Sequence, residues 1–133
     1  MSEKYIVFDV ETPNSANDRM SAIGLAVVEG DRIVEEFSTL INPEVYFNRF
    51  NIQLTGISPE DVVDAPTFSD LWPSLKCMLE GGILIAHHAP FDMSVLAKCL
   101  DAYGIFWKEF AAYLPNGAAV LSGFAEPQAE YLV

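Results

Sequence analysis

Three features of the sequence predict an α/β fold with a mixed sheet, in which a three-stranded antiparallel meander is joined by one parallel strand and flanked by helices. The first is the nearly unbroken apolar run Tyr5 to Val10, bounded by Lys4 and Pro13. Such a run fits a central strand covered on both faces. The second is a pair of strand-like stretches, Ser21–Glu29 and Arg32–Ile41, around the turn Glu29-Gly30-Asp31. The third is a helical stripe followed at once by the short apolar run Ile83-Leu84-Ile85-Ala86. A strand reached through a helical crossover lies parallel to its partner in the same sheet.

The elements follow in order. Pro13 to Asp18 is a polar loop. In the next strand Ile23, Leu25 and Val27 share one face. The returning strand closes at Asn42-Pro43, which makes a hairpin. Glu44 to Pro59 is less regular, a short helix or turn and then a loop, with Gly56 as a breaker; its Phe47, Phe50, Ile52, Leu54 and Ile57 either line a site or, the default, roof the core. Thr67 caps the next helix, with Asp70 completing a weak capping box. Its stripe is Phe68, Leu71, Trp72, Leu75, Met78 and Leu79, and Pro73 implies a late start or a kink. Gly81-Gly82 ends it. After the parallel strand, Pro90 opens a helix whose buried stripe is Val95, Leu96, Cys99, Leu100 and Tyr103, stopped by Gly104. Ile105 to Tyr113 is a last strand or a short helix. From Leu114 the periodicity is lost.

The chemistry gathers at strand ends. Asp9 and Glu11 lie two apart on a strand, so they point to one side, roughly 6.6 Å apart. Taken alone, an Asp-x-Glu is more often a strand end whose acids face water. Two carboxylates leaving a buried strand are costly unless a cation sits between them, and oxygen ligands suit magnesium or manganese. Asp92 falls in the first turn of the helix after the parallel strand. If the two strands are neighbours, Asp92 approaches Asp9 and Glu11, at the carboxyl ends of strands where ligands commonly sit.

Composition bounds the function. The 133 residues are 51% hydrophobic, enough for one domain with its own core. No signal peptide and no span of ~20 apolar residues is present, so no membrane association is expected. Cys77 and Cys99 are read as reduced core thiols of a cytoplasmic protein. The net charge of −12 argues against a broad basic groove for polyanions. It leaves room for a small site acting on one phosphate through bound cations.

Four segments together resemble the DnaQ-like exonucleases, the acidic-carboxylate (DEDD-type) 3′→5′ exonuclease family with a ribonuclease H-like fold. They are Phe8-Asp9-Val10-Glu11-Thr12; Ile41-Asn42-Pro43 with Leu54-Thr55-Gly56-Ile57; Ala65-Pro66-Thr67-Phe68; and Ile85-Ala86-His87-His88-Ala89-Pro90-Phe91-Asp92. Order and spacing match over roughly residues 4 to 113, and four motifs in register are far more specific than one. The resemblance implies that Asp9, Glu11 and Asp92 are the catalytic carboxylates and hold two magnesium or manganese ions. Such a pair activates a water and stabilises the leaving oxygen of a phosphodiester. It implies that Thr12 lies near the terminal nucleotide and that Leu54, Thr55 and Gly56 line the pocket for the last base. His88 occupies the position where the family has Asn, with Phe91 packed beneath it, and both are expected at the substrate. His87 is expected to be a core or supporting histidine.

The family's third motif, His or Tyr followed downstream by Asp, has no counterpart. The chain has no Asp after Asp101 and no His after His88. The expectation is therefore a C-terminally incomplete ribonuclease H-like sheet, with an exonuclease-like domain at 1–113 and an atypical tail at 114–133. A truncated product explains this, as does an inactive remnant or a site completed by another subunit; the abrupt change at Leu114 favours the first. Glu126 and Glu130 lack a spacing that supports a ligand role. The implied function is a metal-dependent 3′→5′ exonuclease acting on single-stranded DNA or RNA ends. The alternative is a catalytically dead module binding metal and a mononucleotide. An aspartyl-phosphate phosphatase is disfavoured, because Glu11 and Pro13 stand where it needs Asp and Thr. Exposed apolar surface makes a homodimer plausible, and no polymerase-tethering segment is recognisable.

Overall fold

The computed structural model describes residues 3–108 and 110. Its elements run β1 (Lys4–Glu11), β2 (Ala22–Glu29), β3 (Arg32–Leu40), α1 (Arg49–Thr55), α2 (Pro59–Val62), α3 (Phe68–Leu79), β4 (Ile83–Ala86) and α4 (Ala89–Ala102). The sheet order is β3-β2-β1-β4. β1 pairs antiparallel with β2, and β2 with β3, so the meander is as the sequence predicts. β4 pairs parallel with β1, in the register Tyr5↔Ile83 to Phe8↔Ala86. Among the described residues no helix is long and apolar enough to cross a membrane.

The core lies on one face of this sheet. Ile6, Phe8 and Val10 of β1 are buried together with Ile23, Leu25 and Leu84. Against them pack Phe68, Leu75 and Leu79 of α3 and Val95, Leu96 and Cys99 of α4. The other face is open among the described residues: Val7 and Ile83 are each well exposed, and Asp9 is exposed. Among the described residues, the cover expected on the second face of β1 is not found. Tyr5 and Val7 extend the apolar run, but α3 and α4 both lie on the Phe8 side. Cys77 is likewise exposed rather than part of the core, whereas Cys99 is buried. Burial raises the Cys99 thiol to about 12, which leaves it unreactive.

Local signals set the element ends. Thr67 accepts from the Asp70 N–H at 3.1 Å, and Asp70 accepts from the Thr67 N–H at 3.3 Å, a reciprocal capping box. α3 therefore starts at Phe68 and runs through Pro73, so no late start occurs. Gly82 is required by contact: a Cβ there would meet the Ile6 side chain and come within 2.8 Å of the Lys4 carbonyl oxygen. The close approach lets β4 enter beside β1. At the far end of α4, the Tyr103 hydroxyl donates to Glu44 at 2.9 Å while the Arg19 guanidinium lies 5.0 Å from the ring centre. Arg19 also donates to the Pro43 carbonyl at 3.0 Å, so one cluster ties the loops after β1 and β3 to α4. Ile105–Trp107 is neither strand nor helix, and Lys108 and Phe110 have helical backbone. The rest of the stretch to Tyr113, the tail 114–133 with Glu126 and Glu130, and the boundary between tail and domain lie outside the described residues.

Candidate active site

Two strands of unequal reach create the site. β4 ends opposite Phe8, so β1 continues past it through Asp9, Val10 and Glu11. Beyond that end the chain turns at His87-His88 into α4, with Pro90 in its first turn. Asp92 in that turn is buried, and the Val10 and His88 main-chain N–H groups hydrogen-bond its carboxylate. Val10 is the residue between Asp9 and Glu11. The third carboxylate is thus anchored to the backbone that carries the other two.

The charges register this proximity. Burial above all, then the Asp9 charge, with a smaller push from Glu11, raises the Asp92 carboxyl to about 7 against the pull of the two N–H groups. Burial and then Asp9 also raise Glu11 above its ordinary range. Asp9 itself is exposed on the open face. From Asp9 and Glu11 a shallow groove of about 320 Å³ crosses Ala22 and Gly24 of β2 to Ser38 and Leu40 of β3. Among the described residues, no three His, Cys, Asp or Glu side chains converge closely enough to form a complete metal cage. The donors nevertheless have the chemistry a hard cation needs: carboxylate oxygens on a strand and a helix start, with burial and then the Asp9 charge making Glu11 and Asp92 harder to ionise.

The other residues singled out in the sequence divide into two groups. Thr12 is buried and works as a brace. Its hydroxyl donates to Asn17 Oδ1 at 3.0 Å. The amide Nδ2 of Asn51 reaches the Thr12 carbonyl at 3.0 Å and its Oγ1 at 3.1 Å. Thr55 donates to the Asn51 carbonyl at 2.8 Å, and Gly56 ends α1 in the left-handed conformation, φ 76°. Leu54, by contrast, faces solvent. His88 is exposed at the start of α4, its ring 6.3 Å from that of Phe91, so the expected contact between these two forms. His87 is half-buried.

Asn51 and Asn14 are the residues that sequence reasoning missed. Asn51 is 7% exposed, the buried residue of α1. Asn14 is buried too, donating to the Tyr46 carbonyl at 2.8 Å and accepting from the Ala16 N–H at 2.9 Å. With the Asn48 N–H on the Pro13 carbonyl at 3.0 Å, these bonds fasten α1 to the loop directly after Glu11. The available signal was Asn48, an N-cap residue whose side chain accepts from the Asn51 N–H at 2.8 Å.

The RNase_T exonuclease family model matches residues 6–129. The DNA polymerase III PolC-type protein of Caldanaerobacter subterraneus subsp. tengcongensis is 35% identical over 104 residues, covering 77% of this chain and 7% of that protein. The PolC-type protein of Bacillus subtilis is 34% identical over 96 residues, covering 71% and 7%. The chain therefore spans only a small part of these relatives. Exonuclease X, solved with 5′-overhanging duplex DNA, is 25% identical with a TM-score of 0.59, covering 68% of this chain and 52% of that one. The nuclease domain of 3′hExo, a DEDDh family member solved with rAMP, shares the fold at a TM-score of 0.63 and 19% identity, covering 83% and 64%. The motifs that resemble DnaQ-like exonucleases and the ribonuclease H-like sheet thus point the same way, and the chain belongs to the RNase_T exonuclease family.

Proposed function

We propose that this chain carries the carboxylate site of a metal-dependent 3′→5′ exonuclease acting on single-stranded nucleic acid ends. The observation that carries the reading is Asp92, buried and bonded to the Val10 backbone between Asp9 and Glu11. Asp9, Glu11 and Asp92 would hold magnesium or manganese. When bound, such ions supply a water nucleophile at neutral pH and neutralise charge on the phosphodiester. The chain's own part is positioning. β1 and α4 fix the three carboxylates, and the Asn51–Thr12 bonds hold the loop beside them. Leu54, Thr55 and Gly56 would meet the terminal base, and His88 with Phe91 would flank the bound end. The PolC-type relatives support a place beside a DNA polymerase.

A second reading keeps the site without turnover. The same carboxylates would then bind a mononucleotide with metal and not turn over. Incubating the protein with a 5′-labelled single strand and manganese, beside Asp9→Ala, separates the two. A shortening ladder lost in the variant supports the exonuclease. No ladder, with metal-dependent mononucleotide binding, supports the binding module.

A further inference from the structure

α1 is inverted for a surface helix. It buries its polar Asn51, 7% exposed, and presents Phe50 and Leu54 to solvent, each 69% exposed. Amphipathic helices do the opposite. Scattered exposed apolar residues need no explanation, but a buried polar side chain beside exposed large apolar ones does. Phe50 and Leu54 stand one helical turn apart, about 6 Å between Cβ atoms, on one face. The inversion has a structural cause, since Asn51 must face inward to reach Thr12. That cause also fixes where Phe50 and Leu54 lie: on the outer side of the helix fastened to the loop that follows Glu11.

Among the described residues, apart from Phe106, the exposed large apolar side chains fall on the open sheet with its β3 edge, or between Tyr46 and Val63 around α1 and α2. The second group includes α1, which Asn51–Thr12 and Asn48–Pro13 hydrogen bonds fasten to the loop directly after Glu11. Its occupant must suit a chain of net charge −12 with seven Lys and Arg residues, of which α1 carries only Arg49. Such a surface cannot grip many phosphates. Base stacking on an aromatic ring needs no positive charge and tolerates any base.

We infer that Phe50, with Leu54 beside it, is a stacking platform for the unpaired bases next to the 3′ terminus, so that this acidic domain holds single strands by their bases. The inference rests on the exonuclease reading and adds Phe50 as a determinant of single-strand preference. Paired bases are already stacked within the duplex and cannot spread onto the ring. Affinity should therefore fall when the last few nucleotides are base-paired.

The test is direct binding, so it needs no turnover. Full-length protein carrying Asp9→Asn is titrated with a short single strand containing 2-aminopurine near its 3′ end, whose fluorescence reports stacking. Phe50→Ala, Phe50→Leu and Phe50→Trp are compared in that background, with circular dichroism confirming the fold. Phe50 is exposed, so none of the three substitutions opens the core. The expected result is about a tenfold or greater loss of affinity in Phe50→Ala with the quench lost, little recovery in Phe50→Leu, and recovery in Phe50→Trp. Equal affinity and equal quench in all four proteins would overturn the platform and assign this face to another occupant, such as a protein partner. The exonuclease reading fails separately. Phe50-dependent quenching without any ladder from the Asp9-containing protein would keep the platform and reject turnover. A ladder indifferent to Phe50→Ala would keep turnover and reject the platform.

Discussion

Replacing Asp92 with Asn should make the metal-free protein more stable at mildly alkaline pH while destroying its function. The carboxyl is buried beneath β1 and titrates at about 7 rather than 3.8. Below 3.8 it is protonated in both folded and unfolded chains and affects neither. Between the two values the folded chain keeps a proton that the unfolded chain releases, so stability falls as pH rises. Above about 7 the folded state must carry the charge beside Asp9 and Glu11, and the penalty is complete. At ~1.4 kcal/mol per tenfold change in ionisation, the limit is ~4 kcal/mol. Relaxation of neighbouring groups and counterions should leave about 1–2 kcal/mol. Asn keeps the shape and an oxygen for the Val10 and His88 N–H groups, and it never ionises. Urea unfolding in chelator, at several pH values, should show wild type losing stability from about pH 4 to 7 and Asp92→Asn losing less. At the alkaline end the variant should be the more stable by about 1–2 kcal/mol. Manganese should reverse the order, because it stabilises only a protein with a charged site. A variant less stable than wild type at alkaline pH in chelator would refute the reasoning.

Other outcomes follow from single contacts. Asn51→Ala leaves the Thr12 carbonyl and hydroxyl without their donor and should cost about 1–3 kcal/mol in urea unfolding. Asn51→Asp should be at least as damaging, since a carboxylate would face that carbonyl. Thr67→Ala removes the cap of α3 and should cost about 1 kcal/mol, read as a lower melting temperature. Gly82→Ala sets a methyl against Ile6 and the Lys4 carbonyl and should destabilise by about 1–3 kcal/mol, with faster amide exchange along β4.

Much of this architecture is legible from residue order. The hairpin around Gly30, the crossover into Ile83–Ala86 and the approach of Asp92 to Asp9 and Glu11 all follow from periodicity, turn residues and the parallel pairing rule. That the described residues cover only one face of the sheet does not. Tyr5 and Val7 are apolar whether or not a layer covers them, and only the placement of α3 and α4 on the Phe8 side distinguishes the cases. The exposure of Cys77 is hidden for a related reason: it sits next to Met78 in an apolar-rich helix but just off its buried stripe. α1 was obscured because it breaks the usual pattern. Its seven residues are too few for a clear period, and its buried position is an Asn held by a bond to Thr12, 39 positions earlier in the chain. No local pattern encodes such a long-range partner.

The most direct test of a single three-carboxylate centre is calorimetric titration of manganese into the protein at neutral pH, comparing wild type with Asp9→Asn, Glu11→Gln and Asp92→Asn. The account predicts saturable binding to wild type, with proton release from Asp92 as the metal enters, and a severe loss in each variant. Undiminished manganese binding by the Asp92→Asn protein would contradict it.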